Sequence, residues 1–213
     1  MREAHYEDKS INYGIAHTRL RRVMGLVGNI KGQRVLDVGC ARGYLGARIK
    51  DLGNYVAGVE MSEKAAAVAR QVLDKVYVFD TEKEWPEELL KDKFDLVIMA
   101  EFLEHVFDPT DILKNVSRVL KPGGRIIITT PNFMVWTHRL KFLAGKFKYT
   151  EQGSLDFGHI RFFTYPYLKE VLSQTGFKIE KEVHIVFPGK LTKLIKFRPS
   201  LFANQFVVRA RKI

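Results

Sequence analysis

The chain has 213 residues, of which 46% are hydrophobic, which is enough for one core and a single domain. Its one cysteine, Cys40, excludes an intrachain disulfide, and the first residues, MREAHYEDKS, lack the apolar stretch of a secretion signal, so we expect a cytoplasmic protein. The longest apolar runs, such as LVIMA and IIITT, have the length of strands and are too short to span a membrane.

The net charge of +11 is distributed unevenly along the chain. Residues 1–110 contain 16 basic and 18 acidic side chains, whereas residues 111–213 contain 19 basic and 6 acidic ones. A basic second half favours an anionic partner on that side of the molecule, although a lysine-rich solvated surface explains the same distribution.

The chain alternates predicted strands and helices from residue 34 onward. Residues 12–30 are predicted to form a helix before the first strand, RVLDVG; the helix YLGARIKDLG, the strand YVAGVE and the helix SEKAAAVARQVLDK follow. VYVFD and FDLVIMA are the third and fourth predicted strands. Asp108, Pro109 and Asp111 indicate the start of the next helix, which KPGG ends before a fifth strand, RIIITT. This alternation with short connections predicts a doubly wound α/β fold whose parallel sheet is covered on both faces.

The alternation breaks after the fifth strand. Residues 133–149 are aromatic and basic and show no rhythm of strands and helices. A helix that begins at Thr164 and ends near Gly176, followed by strands near residues 177–186 and 205–211, completes the chain. The connection between these two strands is long, and long connections in compact domains are often functional.

The turn after the first strand, VLDVGCARGYLG, lies where open parallel sheets bind ligands, beyond the carboxyl ends of the strands. Gly39 and Gly43 allow the backbone to bend tightly there. Glu60 ends the second strand 21 residues after Gly39, where a carboxylate takes both hydroxyls of a ribose. Alanine and tyrosine replace two glycines of the dinucleotide fingerprint, and Asp37 would repel a phosphate. The turn therefore favours a ligand with an amino group and a positive centre.

Four segments, VLDVGCARGYLG, VAGVEMSE, FDLVIMAEFLEHVFDP and LKPGGRIIITTPN, resemble in order and spacing the motifs of class I S-adenosylmethionine-dependent methyltransferases. The resemblance covers residues 34–132 and implies S-adenosylmethionine as cofactor. It also implies a seven-stranded, mostly parallel sheet whose last strand is antiparallel. In that family Glu60 would hold the ribose and Asp80 the adenine amine. By position the resemblance implies cofactor contacts for Asp37, Gly39, Cys40, Gly43, Glu60, Met61, Asp80, Ala100 and Glu101.

The segments AHTRL, EFLEHVFDP and GHIRFFTYPYLKEVLSQTGF resemble the ubiquinone-pathway O-methyltransferases and their broad relatives. This resemblance implies that Arg19 reaches the carboxylate of the cofactor; the alternative is an arginine on a solvated helix. Residues 133–156 match no segment that we can assign. We expect one methyltransferase domain, residues 1–213, with a helical lid at 1–33, a cofactor core at 34–132 and substrate-side insertions at 133–163 and 188–204.

The segment EFLEH, residues 101–105, follows the fourth strand and carries the candidate catalytic residues. In a helical turn Glu101, Glu104 and His105 would share one face. The chain here resembles metal-dependent O-methyltransferases of the ubiquinone pathway and of small-RNA 3′-ends, in which such a turn and a later histidine, here His159, hold a divalent ion. The resemblance implies a site for Mn, Fe, Co, Zn or Mg at Glu101, Glu104, His105 and His159. Two imidazoles favour the first four metals over Mg.

Two other interpretations of EFLEH remain open. In the first, His105 or His159, together with Glu104, acts as a metal-free catalytic base on the acceptor hydroxyl. In the second, the glutamates only stabilise the start of a helix and the histidines pack against the cofactor.

Two segments are expected to flank the mouth of the active site, Phe133 to Tyr149 and Lys190 to Arg198. Lys190, Lys193 and Lys196 alternate with apolar residues, which suits an anionic membrane surface, a lipid-like acceptor or an RNA backbone; a lid helix packed on the core is the plain alternative. The sequence predicts O-methylation of a small or lipid-linked, anionic acceptor. A metal-dependent RNA 2′-O-methyltransferase and a non-catalytic cofactor-binding regulator are the alternatives.

Overall fold

The computed structural model describes residues 13–151, 153–186 and 198–213. Its strands are β1 (Arg34–Val38), β2 (Tyr55–Glu60), β3 (Lys75–Val78), β4 (Phe94–Ala100), β5 (Leu120–Pro131), β6 (Phe177–Glu182) and β7 (Gln205–Lys212). They form one sheet in the order β3-β2-β1-β4-β5-β7-β6, in which β7 is antiparallel to both of its neighbours. The predicted α/β fold, with seven mostly parallel strands and an antiparallel last strand, is confirmed.

Helices cover both faces of this sheet. They are α1 (Tyr13–Val27), α2 (Tyr44–Lys50), α3 (Glu63–Ala69), α4 (Glu87–Lys91), α5 (Pro109–Val119), α6 (Trp136–Leu143), α7 (Tyr165–Gln174) and α8 (Pro199–Phe202), with a 3₁₀ turn at Leu103–His105. Within the described ranges no helix is long and apolar enough to cross a bilayer.

Alternate residues along the strands pack into two separate apolar cores. Val97 and Met99 of β4 belong to the core that contains residues of α5 and α7. Leu96 and Ile98 belong to the core that contains residues of α1 and α2. Successive side chains of a strand point to opposite faces, so the two cores lie on either side of the sheet. Each fully buried side chain of this kind stabilises the fold by about 1.5–3 kcal/mol. The helices thus leave the carboxyl ends of β1 and β4 as the place for a ligand.

The predicted helix starts are confirmed by their side-chain caps. Asp108 accepts hydrogen bonds from the backbone N–H groups of Thr110 and Asp111, at 2.9 and 3.2 Å. Thr164 accepts a longer bond, 3.4 Å, from the N–H of Tyr167. Caps of this kind contribute about 1 kcal/mol each, and the first of them fixes the direction in which the chain leaves EFLEH.

Besides α4 and α8, which were not predicted, the structure differs from the prediction at three places. The helix predicted from Ser62 through residue 75 ends at Ala69. Beyond it the chain forms tighter turns, in which, for example, the N–H of Gln71 donates to the Val68 carbonyl three residues earlier, at 3.1 Å. KPGG lies inside β5 as an irregular stretch, since pairing begins at Leu120 and its register then shifts. The third difference is α6, in the segment predicted to be irregular. All eight residues of α6 are half-buried or exposed. The helix therefore lacks the buried apolar stripe by which an amphipathic helix is recognised in a sequence.

Candidate active site

The turn that follows β1 depends on two glycines. Gly39 and Gly43 have φ angles of 75° and 78°, in the left-handed region that favours glycine. The N–H groups of Gly39 and Cys40 both donate to the Val59 carbonyl, at 2.8 and 3.0 Å, which ties the turn to β2. A Cβ on Gly39 would lie 2.6 Å from Cδ2 of Phe102, the residue just before the 3₁₀ turn. The glycine turn therefore packs directly against the EFLEH segment.

Glu60, at the end of β2, closes this turn from the other side. One carboxylate oxygen accepts a hydrogen bond from the N–H of Ala41 and the other from the N–H of Ser62, both at 2.9 Å. The side chain is half-buried, which leaves part of the carboxylate accessible from the carboxyl edge of the sheet. A carboxylate held in this way has the position and remaining capacity to accept the hydroxyls of a ribose.

Asp37 is a buried carboxylate at the carboxyl end of β1. It is 2% exposed, and among the described residues its Oδ2 has no hydrogen-bond partner. Burial raises the pKa of Asp37 from 3.8 to about 7; the nearby charge of Glu60 adds to the rise, and the Gly46 N–H opposes it. A reluctantly ionised carboxylate, with one oxygen unpartnered among the described residues, suits a ligand that brings a positive charge.

We expect the Asp37→Asn variant to lose a pH dependence of stability that the parent protein has. Because the folded-state pKa of Asp37 lies above its ordinary value, the folded state binds more protons, and stability falls as pH rises from 3.8 to about 7. Asparagine stays neutral at every pH. The difference in the free energy of unfolding between the variant and the parent should therefore change in the variant's favour by up to about 4 kcal/mol between pH 4 and pH 8. Urea unfolding at several pH values measures this shift, and parallel profiles for the two proteins would contradict it.

The other predicted cofactor residues lie along the same edge of the sheet. Met61 directly follows β2, and Ala100 ends β4; both are half-buried. Asp80 lies two residues after β3 and accepts a hydrogen bond from the N–H of Glu82, at 3.0 Å. Cys40 is buried, and burial raises the pKa of its thiol, so it remains a neutral packing residue.

Glu101 is held by groups from three other parts of the chain. Its Oε1 accepts a hydrogen bond from the Thr129 hydroxyl, 2.8 Å, and its Oε2 accepts one from the Gln205 amide, 2.9 Å. Nη2 of Arg19, on α1, lies 4.0 Å from Oε2, so the predicted arginine does reach this edge. Glu101 has a φ angle of 55°, outside the 3₁₀ turn, and the prediction that it shares a helical face with Glu104 and His105 is therefore wrong. Thr129 and Gln205 were missed, since no local pattern links residues 104 positions apart.

Glu104, His105 and His159 form a compact cluster beyond β4. Each offers one potential ligand atom, and these atoms all lie within 4.8 Å of one another. The two imidazole rings meet edge to face, with their centroids 4.8 Å apart. The Glu104 carbonyl accepts the N–H groups of Ile160 and Arg161, at 2.9 and 3.0 Å, and this pairing brings His159 to the 3₁₀ turn. The structure thus brings together three of the four predicted metal ligands and all three predicted catalytic residues.

The carboxylate of Glu104 is buried without a matching donor. The residue is 1% exposed, and within the described part of the chain neither carboxylate oxygen has a hydrogen bond of normal geometry. Burial raises the pKa of Glu104 well above its ordinary range, and the charge of Glu101 adds to this; Thr130 and Arg19 oppose it. Such an arrangement is costly for stability, and it persists where a ligand or a reaction uses the group.

The ring of His105 is fixed by a backbone carbonyl. Nδ1 lies 2.9 Å from the carbonyl oxygen of Gly158. A carbonyl only accepts hydrogen bonds, so Nδ1 carries the proton, and in the neutral ring the lone pair is on Nε2. This tautomer is the one that a general base or a metal ligand needs at Nε2.

A narrow cavity, without room for a water molecule in this structure, adjoins the cluster. Glu104 and His159 are part of its wall, and the rest is formed by Pro131, Phe133, Ser154, Arg161, Phe162 and Phe163. The sequence pointed to this region through Glu104 and His159. Three of the eight wall residues are phenylalanines and four carry polar or charged side chains, so the wall presents both apolar rings and polar groups beside the cluster.

A series of aromatic rings leads from this cavity to the protein surface. The ring centroid of Phe133, in the cavity wall, lies 5.2 Å from that of Phe142. The centroid of Phe142 lies 5.9 Å from that of Phe147. Tyr149 follows at 5.2 Å and Phe157 at a further 5.8 Å. Phe147 and Phe157 are 51% and 61% exposed, so the outer end of the series faces solvent. The predicted lysine stripe at 190–196 lies outside the described residues.

This fold and site define a class of enzyme, and comparison with known proteins agrees with it. Residues 10–182 match the family model described as a methyltransferase domain, and the chain therefore belongs to that methyltransferase family. Together with the sheet order and the glycine turn, the match defines an S-adenosylmethionine-dependent methyltransferase.

Two similar curated proteins are both named ubiquinone biosynthesis O-methyltransferase. That of Thiobacillus denitrificans is 27% identical over 194 residues, which cover 86% of this chain and 80% of the relative. That of Aeromonas salmonicida is 30% identical over 153 residues, which cover 68% of this chain and 63% of the relative. The chain thus spans less than two thirds of the second relative.

Two similar solved structures support the fold. An S-adenosylmethionine-dependent methyltransferase from Mesorhizobium loti is 21% identical, with a TM-score of 0.65 and coverage of 92% of this chain and 96% of that one. Magnesium protoporphyrin IX methyltransferase from Synechocystis, solved with bound SAH, is 18% identical, with a TM-score of 0.66 and coverage of 99% and 92%. At sequence identities this low, the similarity shows that the folds are alike and nothing more.

Proposed function

We propose that the protein transfers a methyl group from S-adenosylmethionine to a hydroxyl oxygen of a small or lipid-linked acceptor. The observation that carries this proposal is the carboxylate of Glu104, which has no hydrogen bond of normal geometry within the described part of the chain, beside His105, whose tautomer leaves a lone pair on Nε2. The two relatives named as O-methyltransferases support the choice of oxygen.

We assign the carboxyl edge of the sheet to the cofactor, which supplies an electrophilic methyl group on a sulfonium. Asp37, whose Oδ2 lacks a partner among the described residues, would receive the amino group, and Glu60 the ribose. Arg19, now 4.0 Å from Glu101, would turn to the carboxylate, and Asp80 would hold the adenine amine. The remaining wall would be formed by Gly39, Cys40, Gly43, Met61 and Ala100.

Proton removal is the task we propose for the cluster. An alcohol is a poor nucleophile until it loses its proton, and a positioned imidazole takes that proton as the oxygen attacks the methyl carbon. In this chain Nε2 of His105 would accept it, because Nδ1 already donates to the Gly158 carbonyl. Ionised Glu104 would act as counter-ion of the imidazolium that results, and that positive charge would favour the carboxylate form against the effect of burial.

The same cluster also fits a divalent metal. One carboxylate and two imidazoles within 4.8 Å of one another form a donor set that suits Mn, Fe, Co or Zn, and no described residue makes a hydrogen bond of normal geometry to the carboxylate. A bound ion of this kind lowers the pKa of a hydroxyl that it contacts. Glu101 fits less well than predicted, because both of its oxygens already accept hydrogen bonds from Thr129 and Gln205.

The rings around the cavity favour an aromatic acceptor with an apolar tail, and the cavity would have to widen to admit it. Phe133 and Phe162, whose ring centroids are 4.4 Å apart, supply flat apolar wall, and the aromatic series continues outward from Phe133. Arg161, also in the wall, supplies positive charge for an anionic group. At the outer end, exposed Leu143 and Lys146 suit contact with an anionic membrane surface from which such an acceptor would enter.

Methyl transfer to three kinds of acceptor tests this function. We expect methylation of phenols, with a lower KM for a phenol that carries an alkyl chain, and no methylation of an RNA oligonucleotide. Replacing Phe147 and Phe157 by serine should raise the KM for the alkylated phenol by about tenfold, since each lost contact contributes about 0.5–1.5 kcal/mol, while leaving the KM for phenol unchanged. Leu52→Ser, at a half-exposed residue after α2, is the control.

Two outcomes would contradict the proposal. Methylation confined to the RNA would favour the 2′-O-methyltransferase alternative. Tight binding of S-adenosylhomocysteine with no turnover on any acceptor would favour a non-catalytic regulator.

A further inference from the structure

Arg161 binds the chain on both sides of His105. The backbone N–H groups of Ile160 and Arg161 donate to the carbonyl of Glu104, at 2.9 and 3.0 Å. Nε of Arg161 donates to the carbonyl of Phe107, at 2.7 Å. Arg161 is thus bound through its backbone to the residue before His105, and through its side chain to the second residue after it. These hydrogen bonds bracket the segment in which His105 lies.

Phe107 is a fixed point for the side-chain bond. Its N–H donates to the carboxylate of Glu82, between β3 and α4, at 2.5 Å, and the next residue, Asp108, caps α5. A hydrogen bond from a guanidinium is charge-assisted and stronger than one between neutral groups. The Arg161 side chain therefore ties the segment that contains His159 to a part of the chain that is held independently.

Residues 156–161 also carry the backbone groups that fix the two histidines. The carbonyl of Gly158 accepts the Nδ1 proton of His105, at 2.9 Å. The N–H of Gly158 donates to Oδ1 of the buried Asp156, at 2.7 Å, and the N–H of His159 donates to the Asp156 carbonyl, at 3.0 Å. A shift of this segment relative to the 3₁₀ turn would therefore change both the hydrogen bond of His105 and the distance between the two rings.

We propose that Arg161 is a positioning residue, which keeps the proton of His105 on Nδ1 by holding residues 156–161 against the 3₁₀ turn. The effect on catalysis rests on the proposed function, because Arg161 acts through His105 and touches no reacting atom in this role. The effect on the tautomer is independent of the acceptor. Supply of charge to an anionic acceptor would concern such acceptors alone, whereas positioning of His105 concerns every acceptor.

The backbone holds this part of the chain at both ends without the Arg161 side chain. Before it, the N–H of Thr150 donates to the Leu155 carbonyl, at 2.9 Å. After it, the N–H of Phe133 donates to the Phe163 carbonyl, at 3.0 Å. We therefore expect Arg161→Met, which keeps an unbranched side chain and removes the donors, to fold and to bind S-adenosylhomocysteine like the wild type.

The direct test measures which ring nitrogen of His105 carries the proton. Protein labelled with ¹⁵N at its histidines is studied by ¹⁵N–¹H correlation NMR in the presence of EDTA, and the His105 signals are those that disappear in His105→Asn. We expect the wild type to carry the proton on Nδ1 and Arg161→Met to show a mixture of the two neutral tautomers. Arg161→Lys, which keeps a positive donor on a long side chain, should retain the wild-type signals.

The kinetic test uses phenol, a neutral acceptor. We expect Arg161→Met to lower kcat by about 10- to 100-fold and to leave the KM for phenol within about twofold, because a small displacement of a catalytic group is costly to the chemical step. Arg161→Lys should recover most of kcat. Arg34→Met is the control, since Nε of Arg34 also donates to a backbone carbonyl, that of Lys93 at 3.2 Å, but at the amino end of β1. It should leave the His105 tautomer and kcat unchanged.

The results separate this inference from the proposed function. If Arg161→Met keeps the proton on Nδ1, or mixes the tautomers without loss of kcat, the positioning role is overturned. Arg161→Lys that behaves like Arg161→Met, or Arg34→Met that loses kcat, would overturn it too. A KM that rises for anionic phenols alone would leave Arg161 as an acceptor-binding residue only. If the wild type methylates no phenol, the proposed function fails, and the NMR signals still decide whether Arg161 holds His105.

Discussion

The variant His105→Asn is expected to lower kcat/KM for methyl transfer by about 10²–10⁴-fold, the usual contribution of a positioned acid or base. The asparagine amide can still donate to the Gly158 carbonyl, as Nδ1 does now at 2.9 Å, so the turn should keep its shape. What the variant lacks is the lone pair of Nε2. The affinity for S-adenosylhomocysteine and the free energy of unfolding should therefore stay close to those of the wild type.

The control for this prediction is His17→Asn, at an exposed position on α1, which should leave kcat/KM unchanged. A His105→Asn protein with nearly full activity would exclude His105 as base and as ligand.

His105→Asn would lose kcat/KM through the loss of either a catalytic base or a metal ligand. Titration of Mn²⁺ into protein saturated with S-adenosylhomocysteine separates these two causes. Stoichiometric binding by the wild type that disappears in a Glu104→Ala/His105→Ala double variant would assign the effect to a metal. The absence of binding in both proteins would leave His105 as a metal-free base.

The variant Gly39→Ala should weaken binding of S-adenosylhomocysteine by at least about 100-fold, equivalent to about 2.7 kcal/mol. Two effects combine at this position. A φ angle of 75° costs a residue with a side chain about 1–2 kcal/mol, and the new Cβ would lie 2.6 Å from the ring of Phe102. Either the turn after β1 or Phe102 must move, and both adjoin the expected cofactor site. Calorimetry gives the binding constant, and urea unfolding gives the cost in stability.

Gly28→Ala is the matched control for this variant. Gly28 has a similar φ angle, 71°, but a Cβ there would meet nothing within 4 Å. It should show the loss of stability caused by backbone strain and leave cofactor binding unchanged. Equal loss of cofactor binding in both variants would mean that the contact with Phe102 is unimportant.

The EFLEH segment shows where prediction from sequence ends. The sequence located the segment at the carboxyl end of β4 because an apolar strand precedes it and Asp108 caps the helix that follows. It did not show that Glu101 turns away from Glu104. That separation depends on a left-handed backbone and on hydrogen bonds from Thr129 and Gln205, which lie 28 and 104 residues further along the chain.

The cavity shows the same limit. His159 was predicted because its segment resembles a family motif, whereas Ser154 belongs to a stretch that matched nothing. The division of the chain into lid, core and insertions stays a prediction.

By itself, the sequence determined the order of the strands, the glycine turn after β1, the helix caps and the candidate residues at the strand ends. These features depend on the backbone preferences and side chains of residues a few positions apart. Only the tertiary structure decided the burial of Asp37 and Glu104, which raises the pKa of each, and the tautomer of His105, set by a carbonyl 53 residues away. The physical reason is that desolvation and long-range hydrogen bonds depend on what packs against a group, and distant segments meet only when the chain has folded.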